Sequence, residues 1–163
     1  MAKPAGGDEK RILMRHALAT LAYRVSKAVR GAPESFAGYR ADQTSRTPAE
    51  IVAHMGDLMD WSLSIAQGAE KWRNSTPLPW PQEIQRFFAA LGRLDAFLAS
   101  GKALSAPLEK LFQGPVADAL THTGQLAMLR RMAGSAMKGE SYYHAEMAIG
   151  RVGLEQAKPV KEF

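Results

Sequence analysis

Apolar residues recur at helical spacing through most of the chain, and no stretch of useful length alternates apolar and polar residues as a strand does. Four segments carry the helical spacing, at about residues 9–30, 47–68, 81–100 and 114–134. Four long amphipathic helices in one short chain predict an all-α fold, an up-and-down-type four-helix bundle. We interpret residues 1–163 as a single domain and expect residues 1–8 and 157–163 to be flexible.

The sequence marks the ends of two of these helices clearly. Thr47 and Glu50 have the spacing of a capping box, and Pro48 stands at the first helical position, where its missing N–H costs nothing. Gly31 and Gly68 follow the first and second helices and are natural C-terminal stops. These signals predict where the second helix begins and therefore which of its residues share a face.

Composition narrows the chemistry that the chain can perform. It contains no cysteine, which excludes a thiol nucleophile, a disulfide framework and thiolate metal ligands. A metal site would have to use histidine, aspartate, glutamate, glutamine or backbone oxygen, which are ligands that suit zinc, nickel, iron or manganese.

The charge pattern and the hydropathy indicate the compartment. A net charge of +5 is spread along the chain, so we expect a solvated basic surface, with Arg130 and Arg131 part of it, and no nucleic-acid partner. No apolar run approaches the roughly 18 residues of a membrane span. The first residues also lack the apolar segment of a secretory signal. We therefore expect a cytoplasmic protein with no membrane partner.

One group of residues could carry chemistry. His54 shares a predicted helical face with apolar residues, and His122 does the same on the fourth helix, where Asp118 lies one turn earlier on the same face. A pair spaced by four residues can close on one ion, and His54 from a facing helix would supply a third ligand. The alternative is ordinary: a buried histidine is often a hydrogen-bonded core residue, and Asp118 near a helix N-terminus is favoured by the helix dipole.

Two segments resemble the DinB-like (YfiT-like) family of bacterial four-helix-bundle proteins. They are RTPAEIVAHMGDLMDWSLSIAQG (residues 46–68) and VADALTHTGQLAMLRRMAG (residues 116–134). The resemblance implies a divalent metal, most often nickel or zinc, held by one histidine on the second helix and two on the fourth. His54 and His122 match two of these positions, but Asp118 stands where the third histidine is expected. An aspartate ligand shifts the preference toward harder metals such as iron or manganese; alternatively, the site has decayed into a structural polar cluster.

Several neighbours are candidates to support such a site. Gln125, three residues after His122, could orient a ligand, and Asp57, one turn after His54, could hold an imidazole through its second nitrogen. Tyr142 and Tyr143 could fold over the mouth of the bundle. Each has a structural alternative: a helix–helix hydrogen bond for Gln125, a solvent-facing position for Asp57, and simple packing of the tail for the tyrosines.

The resemblance implies a function as well. The best-characterised members of the family are thiol-dependent transferases or isomerases, which would require a low-molecular-weight thiol as cosubstrate, and dimers are common among them. The first hypothesis is therefore a metal-dependent enzyme with no assigned catalytic base. The second is a non-enzymatic metal-binding or stress-response protein that forms a homodimer. A third, less favoured, treats two histidines and a carboxylate as the iron site of an oxygenase.

Overall fold

The computed structural model describes residues 6–163, so residues 1–5 of the leader predicted to be flexible lie outside it. The described residues form an all-helical protein in which only an isolated antiparallel bridge, between Glu140 and Glu162, has strand-like pairing. The long helices are α1 (Gly6–Val29), α2 (Pro48–Ala66), α3 (Trp80–Ala99) and α5 (Ala117–Met132), with a short α4 (Leu108–Leu111) and a 3₁₀ turn (Glu34–Gly38).

The four long helices pack around one apolar core. Helix α2 packs against both α3 and α5, and α1 also packs against α3 and α5. Fully buried side chains from every long helix fill the centre, among them Leu18, Leu21, Met55, Met59, Phe87, Leu91, Leu94 and Leu126. A helical bundle is therefore present. Helix α1 packs mainly on α3 and α5 rather than on α2, and the predicted up-and-down order of the helices stays a prediction.

The ends of α2 confirm the capping signals in the sequence. The Thr47 hydroxyl accepts a hydrogen bond from the Glu50 backbone N–H at 3.2 Å, and the Glu50 carboxylate accepts one from the Thr47 N–H at 2.7 Å. Gly68 follows the helix with a φ of +75°, a left-handed conformation that glycine adopts at little cost. The start of α2 is thereby fixed, and with it the position of His54 on the helix.

The sequence predicts a short helical turn at about residues 107–112 and a fourth long helix from Gly114, and the structure contains both, joined without a break. Gly114 and Pro115 were expected to open the fourth helix, but the backbone is helical from Leu108 and passes through a π-helical turn, Phe112–Val116, into α5. Proline has no N–H to donate, and the wider π turn accommodates a proline inside a helix without ending it. Only the predicted start of the fourth helix is wrong, because Gly-Pro was treated as a helix start rather than as a widened turn.

The chain after α5 folds back against α1. Phe163 donates a backbone hydrogen bond to Gly139 at 3.1 Å, and Ser141 donates one to Lys161 at 3.0 Å. Residues 161–163, part of the segment 157–163 predicted to be flexible, thus pair with a preceding segment of the same tail. Buried Glu140 joins this tail to α1 through Lys27.

Arg130 is buried, which corrects the expectation that it is solvated. Its guanidinium donates to the backbone oxygens of Ala28 at 3.2 Å and Arg30 at 2.8 Å, at the end of α1. The last carbonyls of a helix lack partners within the helix, so the Arg130 side chain supplies the donors they need. Its neighbour Arg131 is exposed, as expected.

Across residues 6–163, none of the helices combines the length and the apolar character that crossing a membrane requires.

Candidate metal centre

Three predicted ligands meet between α2 and α5. His54 projects from α2, and Asp118 and His122 project from adjacent turns of α5, because residues four apart share a helical face. One ligand atom from each lies within 4.8 Å of the other two. The helix pairing therefore brings together residues that are 64 positions apart in the chain.

The distances within this triad are compatible with a shared ion as well as with long hydrogen bonds. The His54 Nε2 lies 3.4 Å from Asp118 Oδ2, and the His122 Nε2 lies 3.4 Å from Asp118 Oδ1. Hydrogen bonds of this type are usually about 2.9 Å long, so both contacts are long for that role. Two ligand atoms bound about 2.1 Å from one tetrahedral ion lie about 3.4 Å apart. The triad could therefore hold a metal ion with little rearrangement.

Gln125 fixes the orientation of His122. The His122 Nδ1 lies 2.7 Å from the Gln125 Oε1, and because a carbonyl oxygen can only accept, Nδ1 carries the proton in this contact. The Nε2 atom, which faces Asp118, is then the ring nitrogen available to an ion. Ligating histidines in metalloproteins are usually held in this way through their other ring nitrogen.

The two imidazoles are largely shielded from solvent, whereas the carboxylate is not. The exposed fractions of the side chains are 18% for His54, 12% for His122 and 46% for Asp118. Burial lowers the pKa of His54 below its ordinary 6.5, and the charges of Arg46 and His122 act in the same direction against the attraction of Asp118. His54 is therefore neutral at pH 7, the form that donates a lone pair to a metal.

An aromatic wall covers one side of His54. The Trp72 ring meets the imidazole edge-on with the ring centres 5.7 Å apart, and Trp61 contacts Trp72 in the same manner at 5.6 Å. Sequence analysis did not single out Trp72. Its position in the irregular loop between α2 and α3 gives no periodic signal, so only the folded loop reveals that it touches His54.

Asp57 does not hold an imidazole, and neither is it solvent-facing. It is buried, and its carboxylate accepts hydrogen bonds from the Ser75 N–H at 2.8 Å and the Arg86 guanidinium at 3.0 Å. Asp57 thus anchors the loop that carries Trp72, and its oxygens are engaged there instead of at His54. Helical periodicity could not predict this contact, because Ser75 lies 18 residues away in an irregular loop.

The two tyrosines do not close the mouth of the site. Tyr142 packs against α1, with its ring 6.2 Å from that of Tyr23 and 4.1 Å from the Arg24 guanidinium carbon. Tyr143 is 93% exposed. The tail therefore packs its aromatic residues elsewhere, which was the structural alternative.

Two open clefts flank the triad and share Ser45 and Arg46 in their walls. A polar cleft of about 510 Å³ reaches His54, and a second cleft of about 460 Å³ reaches His122 and is lined by Ile51, Gln125, Met128 and Leu129. Sequence analysis did not single out Arg46, which stands just before the cap of α2. The triad is thus accessible to small molecules from both sides.

Comparison of the chain with protein-family models, with curated proteins and with solved structures found no match in any of the three. What the molecule can do is therefore argued from the geometry of the triad and its surroundings.

Proposed function

We propose that this protein binds a divalent metal ion through His54, Asp118 and His122 and uses it in a metal-dependent reaction on a small molecule. The observation that carries the proposal is the convergence of two imidazole Nε2 atoms on the two oxygens of one carboxylate, at 3.4 Å each. Three protein ligands leave positions for water or substrate, as in catalytic rather than closed structural metal sites. Zinc or nickel suits the two imidazoles best, and the carboxylate also admits iron or manganese.

Each residue of the site has a separate task in this proposal. Asp118 supplies the one negative charge among the three ligands. Gln125 keeps the proton of His122 on Nδ1, and Trp72 shields His54 from water on one side. The clefts beside His54 and His122 would let a reactant reach the coordination position that the three ligands leave open.

For the reaction we propose a thiol-dependent transfer or isomerisation of the DinB-like type. Support comes from the resemblance of residues 46–68 and 116–134 to that family. The absence of cysteine is compatible with it, because the thiol would come from a cosubstrate. A bound divalent cation supplies Lewis acidity, which lowers the pKa of a thiol or water that it binds. The non-enzymatic alternative and the homodimer stay predictions from the sequence.

The metal site is tested by elemental analysis of untagged protein purified without added metal, followed by calorimetric titration with Zn²⁺ and Ni²⁺. We expect near-stoichiometric binding in wild type that is lost in His54→Ala, Asp118→Ala and His122→Ala. His16→Ala is the matched control, because His16 is an exposed histidine outside the triad. Equal binding by His16→Ala and wild type, with loss in the triad variants, supports the site. A wild type that binds neither ion overturns it.

The thiol hypothesis is tested on zinc-loaded protein by titration with free cysteine and with serine, which differs only in having oxygen in place of sulfur. We expect heat of binding for cysteine that serine does not give and that disappears in His122→Ala. Metal binding without any preference for the thiol would instead favour the non-enzymatic alternative.

A further inference from the structure

Arg46 occupies an unusual position beside the triad. It immediately precedes Thr47, so the capping box of α2 fixes the backbone from which its side chain extends. Its side chain lines both the cleft that reaches His54 and the cleft that reaches His122. Arg46 is therefore positioned at the junction of the two approaches to the candidate metal centre.

The carboxylates in the same polar cleft are already engaged with other groups. Glu50 accepts from the Thr47 N–H at 2.7 Å and is paired with Arg40 at 3.2 Å. Asp57 is paired with Arg86 at 3.0 Å. Within residues 6–163, the Arg46 guanidinium makes neither a salt bridge nor a side-chain hydrogen bond, and the residue is exposed where it lines the cleft. Its five N–H donors are therefore available to a ligand.

The second cleft offers apolar surface next to the same guanidinium. Ile51, Met128 and Leu129 line this cleft, and 58% of the surface of Met128 is exposed. A molecule with one anionic end and a short apolar chain would meet Arg46 at one end and these side chains at the other. Arginine also presents a planar fork that matches a carboxylate.

We propose that Arg46 is the substrate-binding residue of this site and that it receives the carboxylate of a small molecule whose apolar part lies along Met128. The assignment of this molecule as a substrate rests on the proposed metal-dependent function. The contact itself depends only on the charge of Arg46 and on the two clefts. Arg46 thereby determines specificity for acids over neutral analogues.

The test uses hexanoate as the probe and hexanamide as its neutral counterpart, titrated into metal-free and zinc-loaded protein and followed by amide NMR shifts. We expect the Kd for hexanoate to rise at least about tenfold in Arg46→Gln in both forms, because a hydrogen-bonded charge pair is lost. Hexanamide binding should not depend on Arg46. Arg40→Gln is the matched control, since Arg40 lines the same cleft but is occupied by Glu50.

Each remaining outcome overturns the inference. Hexanoate that binds wild type and Arg46→Gln equally shows that the acid does not use Arg46. Hexanoate that binds only zinc-loaded protein, and equally in the two proteins, shows that it binds the ion instead. If hexanoate binds neither metal-free nor zinc-loaded wild type, Arg46 is only a solvated surface residue. Zinc binding, measured separately and expected to persist in Arg46→Gln, distinguishes failure of this inference from failure of the metal site.

Discussion

The Nδ1 atom of His122 lies 2.7 Å from the Oε1 atom of Gln125, less than one helical turn farther along α5. This contact presents the opposite nitrogen of the ring to Asp118 and His54 and holds His122, a candidate ligand, in one orientation. It links a surface glutamine to the chemistry of the triad.

Replacing Gln125 should therefore weaken metal binding without removing a ligand. We expect Gln125→Ala to raise the Kd for Zn²⁺ by about 10-fold or more, within the range seen when the hydrogen-bond partner of a ligating histidine is lost. Calorimetric titration measures this, with Gln85→Ala, an exposed glutamine on α3, as the control. Unchanged affinity in Gln125→Ala would show that the ring is oriented by packing alone.

Trp72 should report on metal occupancy. Its ring lies edge-on to His54 with centres 5.7 Å apart, so a paramagnetic ion such as Ni²⁺ at the triad would quench its fluorescence. We expect quenching in wild type to be largely lost in Trp72→Phe and retained in Trp80→Phe, whose indole packs against Phe36 in the core. Equal quenching in both variants would show that Trp72 is not the ring that reports on the ion.

Arg130 and Arg131 offer a matched pair for stability. Arg130 donates to the final carbonyls of α1, whereas Arg131 is exposed. We expect Arg130→Met to lower the free energy of unfolding by about 2 kcal/mol or more, since hydrogen bonds to charged groups contribute about 1.5–3 kcal/mol. Arg131→Met should change it by less than about 0.5 kcal/mol. Urea denaturation of both variants tests this, and similar small effects would contradict the capping role.

Glu140 should be the residue that secures the tail to α1. Its side chain is fully buried, and its oxygens accept from the Tyr23 hydroxyl at 2.5 Å and the Lys27 ammonium at 2.6 Å. Glu140→Gln leaves a mostly buried ammonium short of a partner, and we expect a loss of about 3 kcal/mol in the free energy of unfolding. Glu162→Gln, whose side chain is 34% exposed, should lose less than about 1 kcal/mol.

The stability that the Lys27–Glu140 ion pair contributes should depend on pH. Burial opposes the charge on Lys27, but the hydrogen bonds and charges of Glu140 and Glu162 outweigh it and raise the pKa of Lys27 above 10.5. A pKa raised by folding gives stability that is fully present below the unfolded value and is lost as pH rises through the folded value. We therefore expect the difference between wild type and Glu140→Gln to be constant near pH 7 and to shrink above pH 10.5.

The sequence by itself determined the helices, the capping box at Thr47 and the pairing of Asp118 with His122 on one face. These follow from local physics: helical periodicity, backbone groups without partners at helix ends, and the four-residue spacing of one turn. It also selected His54 as the third member of the triad, although only from a shared apolar face and a family resemblance.

Only the tertiary structure decided the contacts between segments far apart in the chain. It brought Trp72 onto His54, turned Asp57 toward Ser75 and buried Arg130 at the end of α1. None of these has a periodic signature, because each depends on how an irregular segment or a neighbouring helix packs. The partner of a charged or aromatic side chain depends on which groups the packed helices and loops place within contact distance. Those positions are determined by the whole fold and not by the local sequence.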